Sequence, residues 1–154
     1  MVTDKYIYNF AEASLKVLKI FEKCKNHSQK SLMKSKHCSC IEKNGRIYNM
    51  CVNEYSGGIN RYESFSIHAE ENAIQKTLTK VKRTRKKFNI FIVRVSEKNN
   101  NFLNSKPCVD CVSFMKKNSY LINKVYYTYD NDNYVIEKVQ NLKSNHVSIG
   151  NQQL

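Results

Sequence analysis

Two short segments carry residue types that an ordinary hydrophobic core does not require. His68-Ala69-Glu70 and Pro107-Cys108-Val109-Asp110-Cys111 lie 40 residues apart, and each stands at the start of a stretch with helical spacing, about Ile67 to Lys80 and Cys108 to Lys117. A Cys-x-x-Cys pair in the first turn of a helix sets both sulfurs on one side, where the positive end of the helix dipole favours thiolate and therefore metal binding. A neutral imidazole supplies a third ligand. Three protein ligands leave the fourth tetrahedral position to water, which is the arrangement of catalytic zinc and not of structural zinc. Glu70, two residues from His68, falls near such an ion without being needed as a ligand.

Elements of alternating kind must bring these segments together. Apolar residues from Tyr6 to Phe21 recur at three- and four-residue steps, which predicts an amphipathic helix behind a Thr3 or Asp4 cap. Lys23 to Lys36 reads as a loop or short helix. His37 to Glu42 and Arg46 to Val52 flank Lys43-Asn44-Gly45, a strong hairpin signal. Asn53 to Ser66, with Gly57-Gly58, reads as a loop ending in a cap at Ser66. Phe88 to Val95 holds the unbroken run Ile90-Phe91-Ile92-Val93, as suits a strand covered on both faces, and so predicts an α/β layer arrangement. After a loop from Glu97 to Lys106, Pro107 marks the start of the last helix. Strands at Lys124 to Tyr129 and Tyr134 to Val139 are joined by only Asp130 to Asn133. That link is too short for a parallel crossover, so the pair forms an antiparallel hairpin.

The chain of 154 residues has the length of one domain, expected over 1–154 with a polar tail from about 140. Its 41% apolar residues exclude wholesale disorder and a collagen-like fibre. No apolar run approaches the roughly 20 residues that cross a bilayer, and Met1 to Phe10 lacks a secretory pattern, so an intracellular, cytoplasmic and reducing setting is expected. There, six cysteines suit core positions or metal ligands better than disulfides. Lysine and arginine number 26 against 13 aspartate and glutamate, a net of +13 that attracts phosphate-bearing partners. The preponderance of lysine, 21 to 5 arginines, is also what an AT-rich coding genome produces. The basic run from Lys80 to Lys87 reads either as a solvated face or as a track for single-stranded nucleic acid.

His-x-Glu paired with Pro-Cys-x-x-Cys is the signature of the zinc nucleobase deaminases. The stretches Ser66-Ile67-His68-Ala69-Glu70-Glu71-Asn72-Ala73-Ile74 and Ser105-Lys106-Pro107-Cys108-Val109-Asp110-Cys111 resemble the cytidine and deoxycytidylate deaminase superfamily, and the order of elements is similar from about Lys5 to Val139. The resemblance implies a cytidine-deaminase-like three-layer α/β/α sandwich around a five-stranded mixed sheet. It implies Zn2+ held by His68, Cys108 and Cys111, with Glu70 as the catalytic proton shuttle. As substrate contacts it implies the Ala69 backbone N–H, Ser105 and Asn53, the last of which reads equally as a turn-forming asparagine. Tyr127 and Tyr129, on one face of a late strand, read either as pocket aromatics or as sheet packing. Asn72 is similar to the deoxycytidylate-type motif, or is a buried hydrogen-bonding residue, while the closing hairpin resembles the cytidine deaminase division. His37, Cys38 and Cys40 invite a second metal site, against which stands the alternation of Cys38 and Cys40 as small core residues. Cys24 and Cys51 are core candidates; His27 and His146 are read as solvent-facing.

The expected activity is therefore hydrolytic deamination of cytosine in a nucleoside or nucleotide, cytidine, deoxycytidine or a monophosphate, with release of ammonia. Similar enzymes are commonly homo-oligomers, which the resemblance extends to this chain. A first alternative keeps the chemistry and moves the target base, cytosine or adenine, into single-stranded DNA or RNA. A second makes the domain a non-catalytic, zinc-stabilised binding module.

Overall fold

Tyr6-Ile7-Tyr8 begins the described chain as a strand and not as a turn of helix. The structure is a computed structural model and describes residues 6–55, 66–80 and 87–144. Strand β1 (Tyr6–Asn9) pairs antiparallel with the last strand, and Tyr8 stacks on Tyr134 with ring centroids 5.5 Å apart. Asn9 accepts a hydrogen bond from the Ala11 amide at 2.7 Å as a 3-10 turn over Phe10–Glu12 redirects the chain. Helix α1 (Leu15–Ser28) starts only after Ser14, whose hydroxyl accepts from the Val17 amide. The helix predicted from Tyr6 to Phe21 is corrected accordingly. Aromatic and β-branched residues at 6–8 suit a pleated edge, and the effective cap is Ser14; Thr3 and Asp4 lie outside the described residues. The helical spacing has a real cause, since Phe10, Ala13, Val17 and Phe21 all pack on one apolar cluster.

Strands β2 (Lys36–Lys43) and β3 (Arg46–Val52) form the expected hairpin. Asn44 and Gly45 both take left-handed backbone conformations, φ 54° and 85°, as a tight hairpin with native twist demands. Buried Glu42 closes the turn by accepting from the Gly45 amide at 2.7 Å. Beyond Asn53 the predicted loop contains structure: β4 (Glu54–Tyr55) pairs antiparallel with β5 (Ser66–Ile67). Ser66 is thus a strand residue and not the predicted helix cap, and Gly57-Gly58 lies outside the described residues. Helix α2 (Ala69–Lys80) follows, then β6 (Phe88–Val95); residues 81–86 of the basic run are likewise outside. A short strand β7 (Phe102–Leu103) interrupts the loop expected at 97–106. Helix α3 (Val109–Lys117) precedes β8 (Ile122–Thr128) and β9 (Asn133–Lys138), which pair antiparallel as the short link predicts.

The main sheet runs β1-β9-β8-β6-β2-β3, with β7 also on β6. Only β6 and β8 pair in parallel. The five expected strands are present; β1 and β7 bring the number to seven. Along β6 the side chains divide by alternation. Phe88, Ile90 and Ile92 join α2 and α3 in one cluster, while Phe91, Val93 and Val95 join α1 in the other. A strand with two dry faces needs the continuous apolar run that marks it in the sequence. The result is the expected three-layer α/β/α sandwich. Cys24, Cys38 and Cys40 are buried in the α1 cluster and Cys51 in the other, as core residues. The polar tail expected from about 140 is anchored at first: Leu142 is fully buried beyond a 3-10 turn, and residues 145–154, His146 among them, lie outside the described residues. No described helix is long and apolar enough to cross a membrane.

The hairpin turn supplies a stability test. A Cβ at Gly45 meets only the flexible end of Lys16 at 3.2 Å, so the penalty for Gly45→Ala is the left-handed backbone itself. Urea titration should report a loss of about 1–2 kcal/mol.

Candidate active site

Helices α2 and α3 point their N-termini at one spot above the sheet. His68 occupies the residue before α2, its carbonyl accepting from the Asn72 amide at 3.0 Å. Cys108 is the N-cap of α3 with an extended backbone, and its carbonyl accepts from the Val112 amide at 2.9 Å; Cys111 sits in the first turn. Pro107 therefore precedes the cap, two residues earlier than a helix-opening proline. The His68 Nδ1 lies 2.9 Å from Cys111 Sγ and 3.5 Å from Cys108 Sγ, and all three donor atoms fall within 4.8 Å of one another. With ligand bonds of about 2.0–2.3 Å, nitrogen and sulfur on one tetrahedral zinc stand roughly 3.5 Å apart, so this soft, two-sulfur donor set fits the ion. Among the described residues no other group of His, Cys, Asp and Glu can hold a metal. The second site considered at His37, Cys38 and Cys40 is not assembled, because strand alternation turns Cys38 and Cys40 toward α1 and His37 to the opposite face.

The three groups set one another's protonation. Hydrogen bonding from Cys111, with help from His68, draws the Cys108 thiol down to about 4. Donating that bond drives the Cys111 thiol well above its ordinary value. Contact with Cys108 raises His68 to about 9 against its partial burial. Glu70, in the first turn of α2, is only 4% exposed, and burial pushes its carboxyl upward while the neighbouring His68 opposes the shift. Ser39 of β2 donates to Glu70 Oε1 at 3.4 Å, a contact that nothing in the sequence singles out.

The remaining candidates separate. Ala69 is fully buried at the start of α2, where amides have no helical partner. Continuing the β4–β5 register by one residue sets Asn53 across from His68, but its side chain is engaged elsewhere. Its oxygen accepts from Ser31 Oγ (2.6 Å) and the His37 amide (3.1 Å), and its nitrogen donates to the Ser35 carbonyl (2.7 Å). Asn53 thus anchors the loop before β2. Ser105, expected as a substrate contact, has its hydroxyl engaged within the sheet. Its buried hydroxyl donates to the Ile92 carbonyl (2.8 Å) and accepts from the Thr128 amide (2.8 Å) and hydroxyl (2.7 Å), which stitches the ends of β6 and β8 together. Tyr127 is fully buried and its hydroxyl donates to Glu137 Oε2 at 3.1 Å, which accords with the sheet-packing alternative, while Tyr129 lies past the end of the strand and is exposed. Asn72 is the buried hydrogen-bonding residue, donating to the Val52 carbonyl (3.3 Å) and Glu54 Oε1 (3.1 Å). His27 is partly buried and not simply solvent-facing.

Comparison with known proteins agrees with this geometry. The family model described as the cytidine and deoxycytidylate deaminase zinc-binding region matches residues 12–129. A crystal structure of dCMP deaminase from the cyanophage S-TIM5 in complex with dCMP and dUMP is similar in fold, with a TM-score of 0.52 and 20% identity over 75% of this chain and 83% of that one. The apo form of the same phage enzyme matches with a TM-score of 0.49 and 22% identity over 72% and 83%. A search of curated proteins finds no match.

Two measurements check the site. At pH 7 Cys108 is already a thiolate, whereas Cys111 and His68 each hold a proton that a metal must displace. Zinc uptake in weak buffer should release about two protons per ion, read with an indicator dye, and affinity should rise with pH, less steeply once His68 is neutral because Cys111 still holds its proton. Ser105→Ala should cost about 1–3 kcal/mol by leaving buried partners unpaired, with zinc content unchanged by atomic absorption.

Proposed function

The chain belongs to the family of cytidine and deoxycytidylate deaminases, and from that premise we propose that it hydrolyses the exocyclic amine of cytosine in a free nucleoside or mononucleotide. The observation that carries this reading is the buried carboxyl of Glu70 two residues from His68, itself in contact with Cys108 and Cys111. A structural metal site has no use for a proton carrier. His68, Cys108 and Cys111 would hold the zinc, which when bound supplies a Lewis acid able to make water nucleophilic at neutral pH.

The protein's own residues supply the rest. Glu70 would take the proton that the attacking water loses and deliver it to the ring nitrogen N3 of cytosine. A second transfer by Glu70 then protonates the departing amine, so that cytosine and water become uracil and ammonia. Burial suits Glu70 to the first task, because a carboxyl raised above its ordinary range is a stronger proton acceptor than an exposed one. Ser39 fixes one carboxylate oxygen from the sheet side. The amide of Ala69, at the helix N-terminus, is placed to hold the base. The similarity to a phage enzyme crystallised with dCMP and dUMP supports a nucleotide as the substrate.

A second reading moves the cytosine into a single strand, favoured by the net charge of +13. It requires turnover of oligonucleotides that weakens steeply with added salt.

Glu70→Gln keeps the shape of the side chain and removes the titrating group. Conversion of cytidine, deoxycytidine and their monophosphates, followed by mass spectrometry, should fall about 10²–10⁴-fold while zinc stoichiometry stays intact. Loss of zinc together with activity would make Glu70 a ligand and sink the assigned role.

A further inference from the structure

The sheet face beneath the zinc triad continues past Ser39 into a rung of different character. On β2 and β6, Ser39 and Ile92 are direct partners, and the next same-face pair is His37 with Arg94. Ile92 and Ile41 belong to the α2/α3 cluster, so alternation puts His37 and Arg94 on the side that carries Glu70. The two rungs are separated by two residues of strand, roughly 7 Å, a span comparable to that between the ring and the phosphate of a nucleotide. Ser35 ties the second rung together. Its hydroxyl meets His37 Nε2 at 3.0 Å and accepts from Arg94 Nε at 3.1 Å.

Arg94 is half-buried, yet it faces no carboxylate among the described residues, where Lys16–Glu42 is the one ion pair. A partly desolvated guanidinium whose Nε is braced by a neutral hydroxyl leaves its outer fork, among the described residues, for another acceptor. A planar fork held in this way matches the two oxygens of a phosphate. Every other inward position of β6, Phe88, Ile90 and Ile92, is apolar, so the charge is not a requirement of sheet packing. In open α/β sheets ligands lie outside the carboxyl ends of the strands, and Arg94 is the penultimate residue of β6.

We propose that Arg94, braced by Ser35 and flanked by His37, is an anion subsite that takes the phosphate of a mononucleotide whose cytosine lies at the His68, Cys108 and Cys111 triad. The proposal rests on the deaminase reading and narrows its substrate to the phosphorylated form.

The test compares kcat/KM of the zinc-loaded protein for dCMP, deoxycytidine and a short cytosine-containing single strand, in the wild type, Arg94→Gln and Arg94→Lys, with thermal midpoints as the check on folding. The wild type should prefer dCMP over deoxycytidine. Arg94→Gln should lower that preference by about 10- to 100-fold, the scale of a lost charge-assisted pair, chiefly through KM. Arg94→Lys, keeping charge without the fork, should lower it less, and it serves alone if the glutamine variant does not fold. Equal losses on dCMP and deoxycytidine, or a wild type indifferent to the phosphate, would overturn the subsite, as would turnover confined to the single strand. If the wild type converts nothing, the deaminase reading fails separately. Titration with inorganic phosphate then decides the subsite, with binding weakened in Arg94→Gln supporting it and absence of binding overturning it.

Discussion

The convergence of two helix N-termini over one rung of the sheet is the constraint on which the site depends. Strands β3 and β6 each pair antiparallel with β2, so they run in the same direction and end at the same edge of the sheet. The segments that follow them, leading into α2 and α3, therefore start their helices at a common end. The parallel pairing of β6 with β8 forces the chain back across the sheet through α3, which is a βαβ crossover. Residues 40 apart in sequence become neighbours because the strand directions leave no other arrangement. The two helix dipoles then add, favouring thiolate at Cys108 before any ligand is considered.

Holding that convergence requires polar anchoring as well as apolar burial. Ser105 bonds the ends of β6 and β8 three residues ahead of Cys108. Asn72 ties α2 to Val52 and Glu54, and Asn49 of β3 donates to the Ala73 carbonyl at 3.0 Å and to the Thr77 hydroxyl. Apart from exposed Glu54, these groups are at least partly buried, where an unmatched polar group costs about 1–3 kcal/mol. Apolar packing is tolerant of small slides between helix and sheet. Hydrogen bonds to particular carbonyls are not, and these fix the height of His68 and Cys108 above the rung that carries Ser39 and Ile92.

What was legible in the sequence follows the same division. Motif spacing singled out His68, Cys108 and Cys111, which the fold brings together, and a four-residue link was enough to determine the final hairpin, since loop length restricts geometry directly. The run Ile90 to Val93 declared a strand covered on both sides. Tyr6 to Phe10 misled because strand, 3-10 turn and helix all deliver side chains to the same cluster, and periodicity records the destination and not the backbone that reaches it. The hydroxyls of Ser105 and Tyr127 were ambiguous for a related reason. A hydroxyl beside a motif looks the same whether it points to a ligand or bonds Ile92, and only the tertiary partner decides. Arg94 had a signal, a charge interrupting the inward face of an otherwise apolar strand, but strand alternation had to be placed relative to Glu70 before that charge acquired a meaning.

Two kinds of positive charge thus coexist and do different work. The excess of +13 is carried mostly by lysines, whose mutual field is screened beyond about 8 Å at physiological salt. Such a field raises the local concentration of any polyanion and ranks mononucleotides poorly against one another. Arg94 is one charge, but it is partly withdrawn from water and held by Ser35 on the face that carries the Glu70 carboxyl. Its interaction with an anion is less screened and requires one separation between base and phosphate, so a nucleoside forfeits it. On the reading proposed for Arg94, selectivity for a phosphorylated substrate would follow from where one guanidinium is fixed, and the surplus of lysines would add speed of encounter without adding choice.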